Sequence, residues 1–268
     1  METQAAIGDW IAERESLLSG AAAIIVLLGV IGSPSTFLFR RFSVSPAEAP
    51  AEVEQLADRR VTLKDLSAPA PFPIHFAESD GLRIAYAVLG ERPPDIVVAP
   101  GIISHLSINS HMPVIRDSVA ALNEFARVVL FDKRGQGLSD PCLNVPNLDE
   151  RSHDIGAVMD AAGIDRAILY GVSEGGPMCV KFAHDYPERV TGLVLLGTTA
   201  RWVQSEDYPM GLEQRVIDSI PDMWGSGRLR DVFFPSISEE EMDVRTYQGF
   251  ERLIATRQSV RQLVDYMM

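Results

Sequence analysis

The sequence predicts an α/β fold in which a mostly parallel β-sheet is flanked by helices. Short apolar runs such as Asp95–Ala99 and Arg127–Phe131 alternate with segments of helical spacing such as Met112–Phe125. The runs lack a polar face, as expected for strands that are covered on both sides in a parallel sheet. A Gly-x-Ser-x-Gly motif at residues 171–175 lies between another such run and another helical segment. Together these observations imply alternating strands and helices that form a parallel sheet covered on both sides.

The N-terminal part of the chain predicts a membrane anchor. A short tail, residues 1–16, is followed by an uncharged and mainly apolar segment from Leu17 to Phe39. A membrane helix needs about 20 apolar residues, so residues 17–39 predict a single transmembrane helix in the lipid bilayer. Arg40 and Arg41 follow directly, and the positive-inside rule then places the rest of the chain in the cytoplasm. A cleaved signal peptide and a buried helix are the alternatives, although the tail lacks a basic region.

Residues 40–73 predict a linker, because this stretch is rich in alanine, proline and glutamate. It includes one short amphipathic stretch around residues 52–66. That stretch is interpreted either as a solvated connector or as a helix that lies against the membrane surface or the domain.

Residues 74–200 predict the core of the domain, which begins with a β-hairpin. Asp80-Gly81 is a hairpin turn signal between two short runs. Asn147 is a suitable N-cap for the helix that follows it, and Gly163 ends that helix. The remaining predicted elements are strands at His75–Ser79, Leu82–Leu89, Ala167–Tyr170 and Gly192–Leu196, and helices at Leu148–Ala162 and Gly175–Tyr186.

Residues 201–268 predict a helical cap over the sheet. Aromatic residues such as Trp202 and Trp224 are scattered among charged helical stretches such as Glu239–Ile254. The sequence ends at Met268 within a helical pattern, so we expect the cap to be truncated.

Charge and cysteine content exclude several classes of function. The net charge of −13 argues against nucleic-acid binding, which requires a basic patch. The two cysteines, Cys142 and Cys179, give neither a disulfide framework nor a metal-ligand spacing. We therefore expect reduced cysteines, no metal site and no cofactor.

The Gly-x-Ser-x-Gly motif carries the strongest functional signal, and its context is that of a nucleophile elbow. Gly171 and Gly175 allow a strand and a helix to pass closely on either side of Ser173. The sharp turn exposes the Ser173 hydroxyl at the helix N-terminus, where developing negative charge is stabilised. The backbone N–H of Glu174 is then expected to point towards that charge. The alternative is an ordinary strand-turn-helix with an incidental serine.

A second glycine-rich segment, DKRGQGLSD at residues 132–140, follows a predicted buried strand. It matches neither a dinucleotide-binding loop nor a P-loop. We therefore expect Asp132 and Arg134 to fix this loop by hydrogen bonds and an ion pair rather than to act in catalysis.

From about Ile74 to Met268 the chain resembles the α/β-hydrolase superfamily. The resemblance rests on Pro100-Gly101 after a strand, DKRGQGLSD, GVSEGGP at 171–177, and YPERVTGLVLLGT at 186–198. The second and third motifs are similar to hydrolase domains found beside nucleotide-cyclase and other signalling modules. The resemblance implies an eight-stranded sheet with a cap, Ser173 as catalytic nucleophile, and Ile102 and Glu174 as backbone oxyanion donors. A serine argues against the aspartate-nucleophile branches, the epoxide hydrolases and haloalkane dehalogenases.

The chain departs from this family in its triad. The family order is serine, acid, then histidine, but the only histidine after Ser173 is His184, which the predicted helix carries away from the serine. The other histidines precede the serine: His75, His105, His111 and His153. The triad acid and histidine are thus missing, as are the last two strands of the sheet. An apolar edge strand would then be left unpaired, and we expect the chain to be a fragment of a longer protein.

These observations favour a membrane-anchored serine hydrolase that acts on a small-molecule ester, thioester, amide or related acyl substrate. We expect little turnover from the chain itself, because its serine has no base. The main alternative is a non-catalytic ligand-sensing or interaction domain of a membrane signalling protein, with a possible signalling domain downstream. A secreted hydrolase whose N-terminus is removed is a third hypothesis.

Overall fold

The computed structural model describes residues 26–27, 61–142, 144–209, 212–234 and 238–267. Within these residues it contains one seven-stranded sheet, in the order β1-β7-β6-β4-β5-β3-β2. The strands are β1 (Val26–Leu27), β2 (His75–Ser79), β3 (Leu82–Leu89), β4 (Asp95–Ala99), β5 (Arg127–Phe131), β6 (Ala167–Val172) and β7 (Val190–Leu196).

The centre of the sheet is parallel, as predicted. Strand β4 pairs in parallel with both β5 and β6, and β6 pairs in parallel with β7. The predicted hairpin is also confirmed, since β2 and β3 pair antiparallel on either side of Asp80-Gly81. Both turn residues have positive φ angles, 50° and 78°, which is the backbone that a two-residue hairpin turn requires.

Nine α-helices are described in these ranges, and those predicted from apolar spacing are all present. They are α1 (Leu63–Leu66), α2 (Leu106–Asn109), α3 (Pro113–Asn123), α4 (Leu148–Ala161), α5 (Gly175–Asp185), α6 (Gln214–Met223), α7 (Arg230–Phe233), α8 (Val244–Ile254) and α9 (Arg257–Met267). Asn147 caps α4 as predicted, and its side chain accepts a hydrogen bond from the backbone of Glu150 at 2.9 Å.

Helices cover both faces of the sheet. Alternate residues of the central strands point to opposite sides, and apolar side chains on each side pack against helices. Val97 and Val129 pack with α4 and α5, where Phe182 is fully buried. Ile96 and Val128 face the other way and pack against residues of α3. The parallel strands are therefore apolar on both faces because both faces are interior.

A second apolar core lies beneath the cap helices α6, α8 and α9. Trp224, Tyr247 and Val260 are among its buried members. These helices fall within residues 201–268, whose role as a cap stays a prediction.

Part of the segment predicted as a linker belongs to this second core. Val61 and Leu66 are 4% and 1% exposed and pack with the cap residues. The backbone N–H of Val61 also donates to the carbonyl of Glu241 at 3.0 Å. The interpretation as a solvated connector is therefore wrong from Val61 to Leu66, because the apolar side of the amphipathic stretch is buried against the domain.

Two residues of the predicted membrane segment are described, and they are not helical. Val26 and Leu27 form β1, which pairs antiparallel with Val194 and Leu193 of β7. Extended backbone lets these residues bond to the edge of the sheet that was expected to remain unpaired. The other residues of segment 17–39, like the tail 1–16, lie outside the described residues. Among the described helices, none combines the length and apolar character required to cross a membrane.

We expect Leu66→Ala to destabilise the domain by about 2–5 kcal/mol, because it leaves a cavity in the second core. The matched control is Leu63→Ala in the same helix, since Leu63 is 49% exposed and should cost less than about 1 kcal/mol. Urea unfolding of the full chain measures both changes. Equal, small losses would show that α1 contributes no core packing.

Candidate active site

The turn that holds Ser173 has the strained backbone of a nucleophile elbow. Ser173 follows β6 and precedes α5, and its φ angle is +49°, a region that few non-glycine residues occupy. Such a conformation costs of order 1–3 kcal/mol and persists only when its surroundings hold it. Here the Ser173 N–H donates to the carbonyl of Leu196 at 2.8 Å, and its carbonyl accepts from Gly176 at 3.1 Å.

The glycines around the serine are required by close contacts between backbones. A Cβ atom added at Gly175 would lie 2.2 Å from the carbonyl oxygen of Ala99. One added at Gly171 would lie 2.7 Å from the Cα atom of Gly176. The prediction that these residues let β6 and α5 pass closely is therefore confirmed.

The loop that follows β4 lies against the serine. A Cβ atom added at Gly101 would lie 3.4 Å from the Cβ atom of Ser173, in van der Waals contact. This loop contains Ile102, so the structure brings both predicted donor residues, Ile102 and Glu174, into the neighbourhood of Ser173. Their action as oxyanion donors stays a prediction.

The DKRGQGLSD loop, residues 132–140, holds the loop after β4 in place. The Asp132 carboxylate accepts a hydrogen bond from the backbone of Leu106 at 2.9 Å. Gln136 accepts one from the backbone of Ser104 at 2.8 Å, and the Lys133 N–H donates to the Ser104 hydroxyl at 3.0 Å. These contacts confirm that the loop has a fixing role at Asp132.

Arg134 fixes the other side of the same loop. Its guanidinium lies 2.7 Å from the Asp154 carboxylate of α4, and both side chains are buried. It also lies 2.9 Å from the carboxylate of Asp80 in the hairpin turn. The predicted ion pair of Arg134 is confirmed, and it joins the loop to a helix and to the edge of the sheet.

A buried charge cluster, which the sequence did not predict, forms around Glu174, the residue after Ser173. The Glu174 side chain is only 2% exposed and contacts both Lys133 and Arg151. The Glu174 side chain therefore does not point to solvent. Burial and the nearby Arg151 cation lower the pKa of Lys133. The sequence feature that could have indicated this cluster is a pair of opposite charges, Lys133 in DKRG and Glu174 in GVSEGG, each a few residues after a predicted strand.

All five histidines lie at described positions, and none of them hydrogen-bonds to Ser173. His184 is exposed near the end of α5, about 13 Å along the helix from its start. It is a surface residue, as predicted. The others have different partners: His75 packs on Tyr86, His105 caps α2, His111 contacts the Ala68 carbonyl, and His153 contacts Asp80.

A cavity of about 120 Å³ lies between the 132–140 loop and the cap, lined in part by Gln136, Cys142 and Leu263. Ser173 is not among its lining residues.

Cys142 and Cys179 are both free thiols, and burial raises the pKa of each. Among the described residues, no group of histidine, cysteine or acidic side chains is arranged to hold a metal ion.

Comparison with known proteins establishes the family. Residues 94–247, more than half of the chain, match the family described as the alpha/beta hydrolase fold. The chain therefore belongs to the alpha/beta hydrolase family. Its fold is similar to that of an esterase from Exiguobacterium antarcticum, with a TM-score of 0.59 and 18% identity over 72% of this chain and 73% of the esterase.

Two curated relatives illustrate the range of the match. The chain is 28% identical over 174 residues to a poly(3-hydroxyalkanoate) depolymerase of Ectopseudomonas oleovorans, covering 61% of this chain and 60% of the relative. It is 42% identical over 117 residues to a 2-hydroxy-6-oxononadienedioate/2-hydroxy-6-oxononatrienedioate hydrolase of Paraburkholderia phymatum, covering 43% and 40%. The chain thus spans about half the length of these relatives.

We expect Asp132 to make the domain less stable as the pH rises from about 4 to about 7. Burial raises the folded-state pKa of Asp132 to about 7, whereas an unfolded aspartate has a pKa of about 3.9. In this window the unfolded chain binds fewer protons, so the free energy of unfolding falls by up to about 1.4 kcal/mol per pH unit. Urea unfolding of wild type and Asp132→Asn between pH 4 and 8 measures the difference.

The control for this measurement is Asp140→Asn. Hydrogen bonds from Arg83 lower the pKa of Asp140, so its contribution is present above the unfolded pKa and is lost only as the pH falls below about 4. A difference between wild type and Asp132→Asn that stays constant from pH 4 to 8 would contradict the raised pKa.

Proposed function

We propose that Ser173 is the nucleophile of a serine hydrolase that acts on a small-molecule ester or a related acyl compound. The strained turn at Ser173, with φ at +49° between β6 and α5, is the observation that carries this proposal. Strain of this kind is concentrated at functional sites, where the surrounding structure maintains it. Membership of the hydrolase family and the presence of a serine at this position support acyl transfer.

In the proposed reaction the Ser173 hydroxyl oxygen bonds to the carbonyl carbon of the substrate. A base takes the hydroxyl proton, and the carbonyl oxygen becomes an oxyanion that the N–H groups of Ile102 and Glu174 stabilise. The intermediate collapses to an acyl-enzyme and expels the alcohol, which receives the proton. Water then attacks the acyl group and gives a proton to the base, the bond to the serine oxygen breaks to release the acid, and the base returns its proton to Ser173.

Within the described part of the chain, no histidine hydrogen-bonds to Ser173, so the base of this mechanism has no assigned residue. His184 is exposed near the far end of α5. We therefore propose that the base and its acid come from sequence outside these residues. A positioned base contributes about 10²–10⁴-fold, so we expect the chain alone to react slowly.

We expect a fluorophosphonate probe to label Ser173 slowly in the full chain, and added imidazole to accelerate labelling. Imidazole can accept the serine proton while the phosphorus–oxygen bond forms and fluoride leaves. The rate of labelling should rise with imidazole concentration by at least about 10-fold. This gain is smaller than the roughly 10²–10⁴-fold that a positioned base contributes. Peptide mass spectrometry identifies the labelled residue.

Ser173→Ala is the control for the probe, and Ser205→Ala removes a half-buried serine elsewhere in the chain, which should leave labelling unchanged. Labelling that persists in Ser173→Ala would contradict the assignment of the nucleophile. Rapid labelling of wild type without imidazole would show that a base is already present. Failure to label under any condition would instead favour the second candidate, a ligand-binding domain without turnover. This candidate is kept because no histidine of the described residues hydrogen-bonds to Ser173.

We also propose that residues 17–39 anchor the protein in a membrane with the hydrolase domain in the cytoplasm. The proposal is supported by the uncharged segment and the arginines that follow it. We expect the full chain, expressed in bacteria, to remain in the membrane pellet after carbonate extraction with Met1–Arg41 intact by mass spectrometry.

Ile25→Arg/Leu28→Arg is the matched control for membrane insertion. Each arginine near the helix centre costs about 2.5–3.5 kcal/mol of insertion free energy, so we expect this variant in the supernatant. Wild type in the supernatant would contradict the proposed anchor, and loss of residues 1–41 would favour a secreted protein.

A further inference from the structure

The Lys133 side chain joins the two segments that flank Ser173. Its Nζ donates to the carbonyl oxygen of Gly101 at 2.6 Å and to that of Ile102 at 3.3 Å. It also contacts the carboxylate of Glu174, the residue that follows the serine. Lys133 is almost fully buried, so these contacts form without competition from solvent.

The hydrogen bond to Gly101 fixes the direction of a neighbouring N–H group. The carbonyl of Gly101 and the N–H of Ile102 belong to the same peptide unit. In a planar trans peptide these two groups point in opposite directions. A cation that holds the Gly101 carbonyl therefore holds the Ile102 N–H pointing away from itself.

We propose that Lys133 is a positioning residue that sets the orientation of the Gly101–Ile102 peptide and so presents the Ile102 N–H to the oxyanion formed at Ser173. The inference rests on the proposed function and deepens it. Glu174 anchors the ammonium through its side chain and lies directly after Ser173 in the chain. One buried cation thus relates the positions of the two proposed oxyanion donors.

Because two cations share one carboxylate, either cation can be removed without leaving Glu174 as an unpaired buried charge. Glu174 is shared by two cations, Lys133 and Arg151. Lys133→Met removes one cation with a side chain of similar length and leaves the Arg151–Glu174 pair. Arg151→Met removes the other cation and leaves the bonds from Lys133 to Gly101 and Ile102. Both variants remove one positive charge, but only Lys133→Met removes the hydrogen bond that holds the Gly101–Ile102 peptide.

The first measurement is the rate of fluorophosphonate labelling of Ser173 in the full chain with imidazole. Losing one oxyanion donor lowers catalysis by about 10²–10³-fold, so we expect Lys133→Met to label about 100-fold more slowly than wild type. Arg151→Met should slow labelling by about 10-fold at most. The control Lys181→Met replaces a half-buried lysine of α5 that pairs with Asp149 and Asp185, and it should label at the wild-type rate.

The melting temperatures separate positioning from structural support. We expect Lys133→Met and Arg151→Met to melt within a few degrees of each other, although their labelling rates differ. Equal labelling of Lys133→Met and wild type would overturn the proposal. Losses of labelling that follow the melting temperature across both variants would also overturn it, because they would indicate a purely structural cluster.

A crystal structure of Lys133→Met tests the geometry independently of any reaction. We expect the Gly101–Ile102 peptide to be rotated or to occupy two orientations, whereas it keeps one orientation in Arg151→Met. An unchanged peptide in Lys133→Met would overturn the proposal even if Ser173 is a nucleophile. If wild type does not label at all, the proposed function fails, and the peptide orientation still decides whether Lys133 positions it.

Discussion

The close crossing of α5 over the end of β4 is the constraint on which the site depends. The backbone of Gly175 approaches the carbonyl of Ala99 so closely that no side chain fits between them. This contact brings the first turn of α5 against the loop that contains Gly101. Ser173, directly before this helix, occupies the left-handed region, and the loop after β4 lies beside it.

Sequence patterns were sufficient for the elements that depend on local and periodic signals. The hairpin at Asp80-Gly81, the N-cap at Asn147 and the elbow at Ser173 each have a local cause that can be read from neighbouring residues. The parallel sheet follows from strands that are apolar on both faces. For Val61 to Leu66 the sequence left a solvated connector and a helix against the domain both open, because its burial depends on the cap, a contact between parts of the chain that are far apart in sequence.

The buried charges could not be predicted in the same way. A lysine, an arginine and a glutamate are usually exposed, and their burial is tolerated only when the fold pairs them. Lys133, Arg151 and Glu174 come from a loop, a helix and a turn, so their contact is a product of the tertiary structure. The loop that was expected only to be fixed by Asp132 and Arg134 thereby includes Lys133, whose side chain contacts both segments that flank the serine.

The residues of the short strand β1 also belong to the proposed membrane anchor, and the two roles are incompatible. Val26 and Leu27 are hydrogen-bonded to β7, whereas a helix that crosses a bilayer satisfies its backbone groups internally. The same two residues cannot do both at once. If the proposed anchor inserted into a membrane, the N–H and C=O groups of β7 would return to solvent or to another chain, so the proposed anchoring and the protection of this edge would compete.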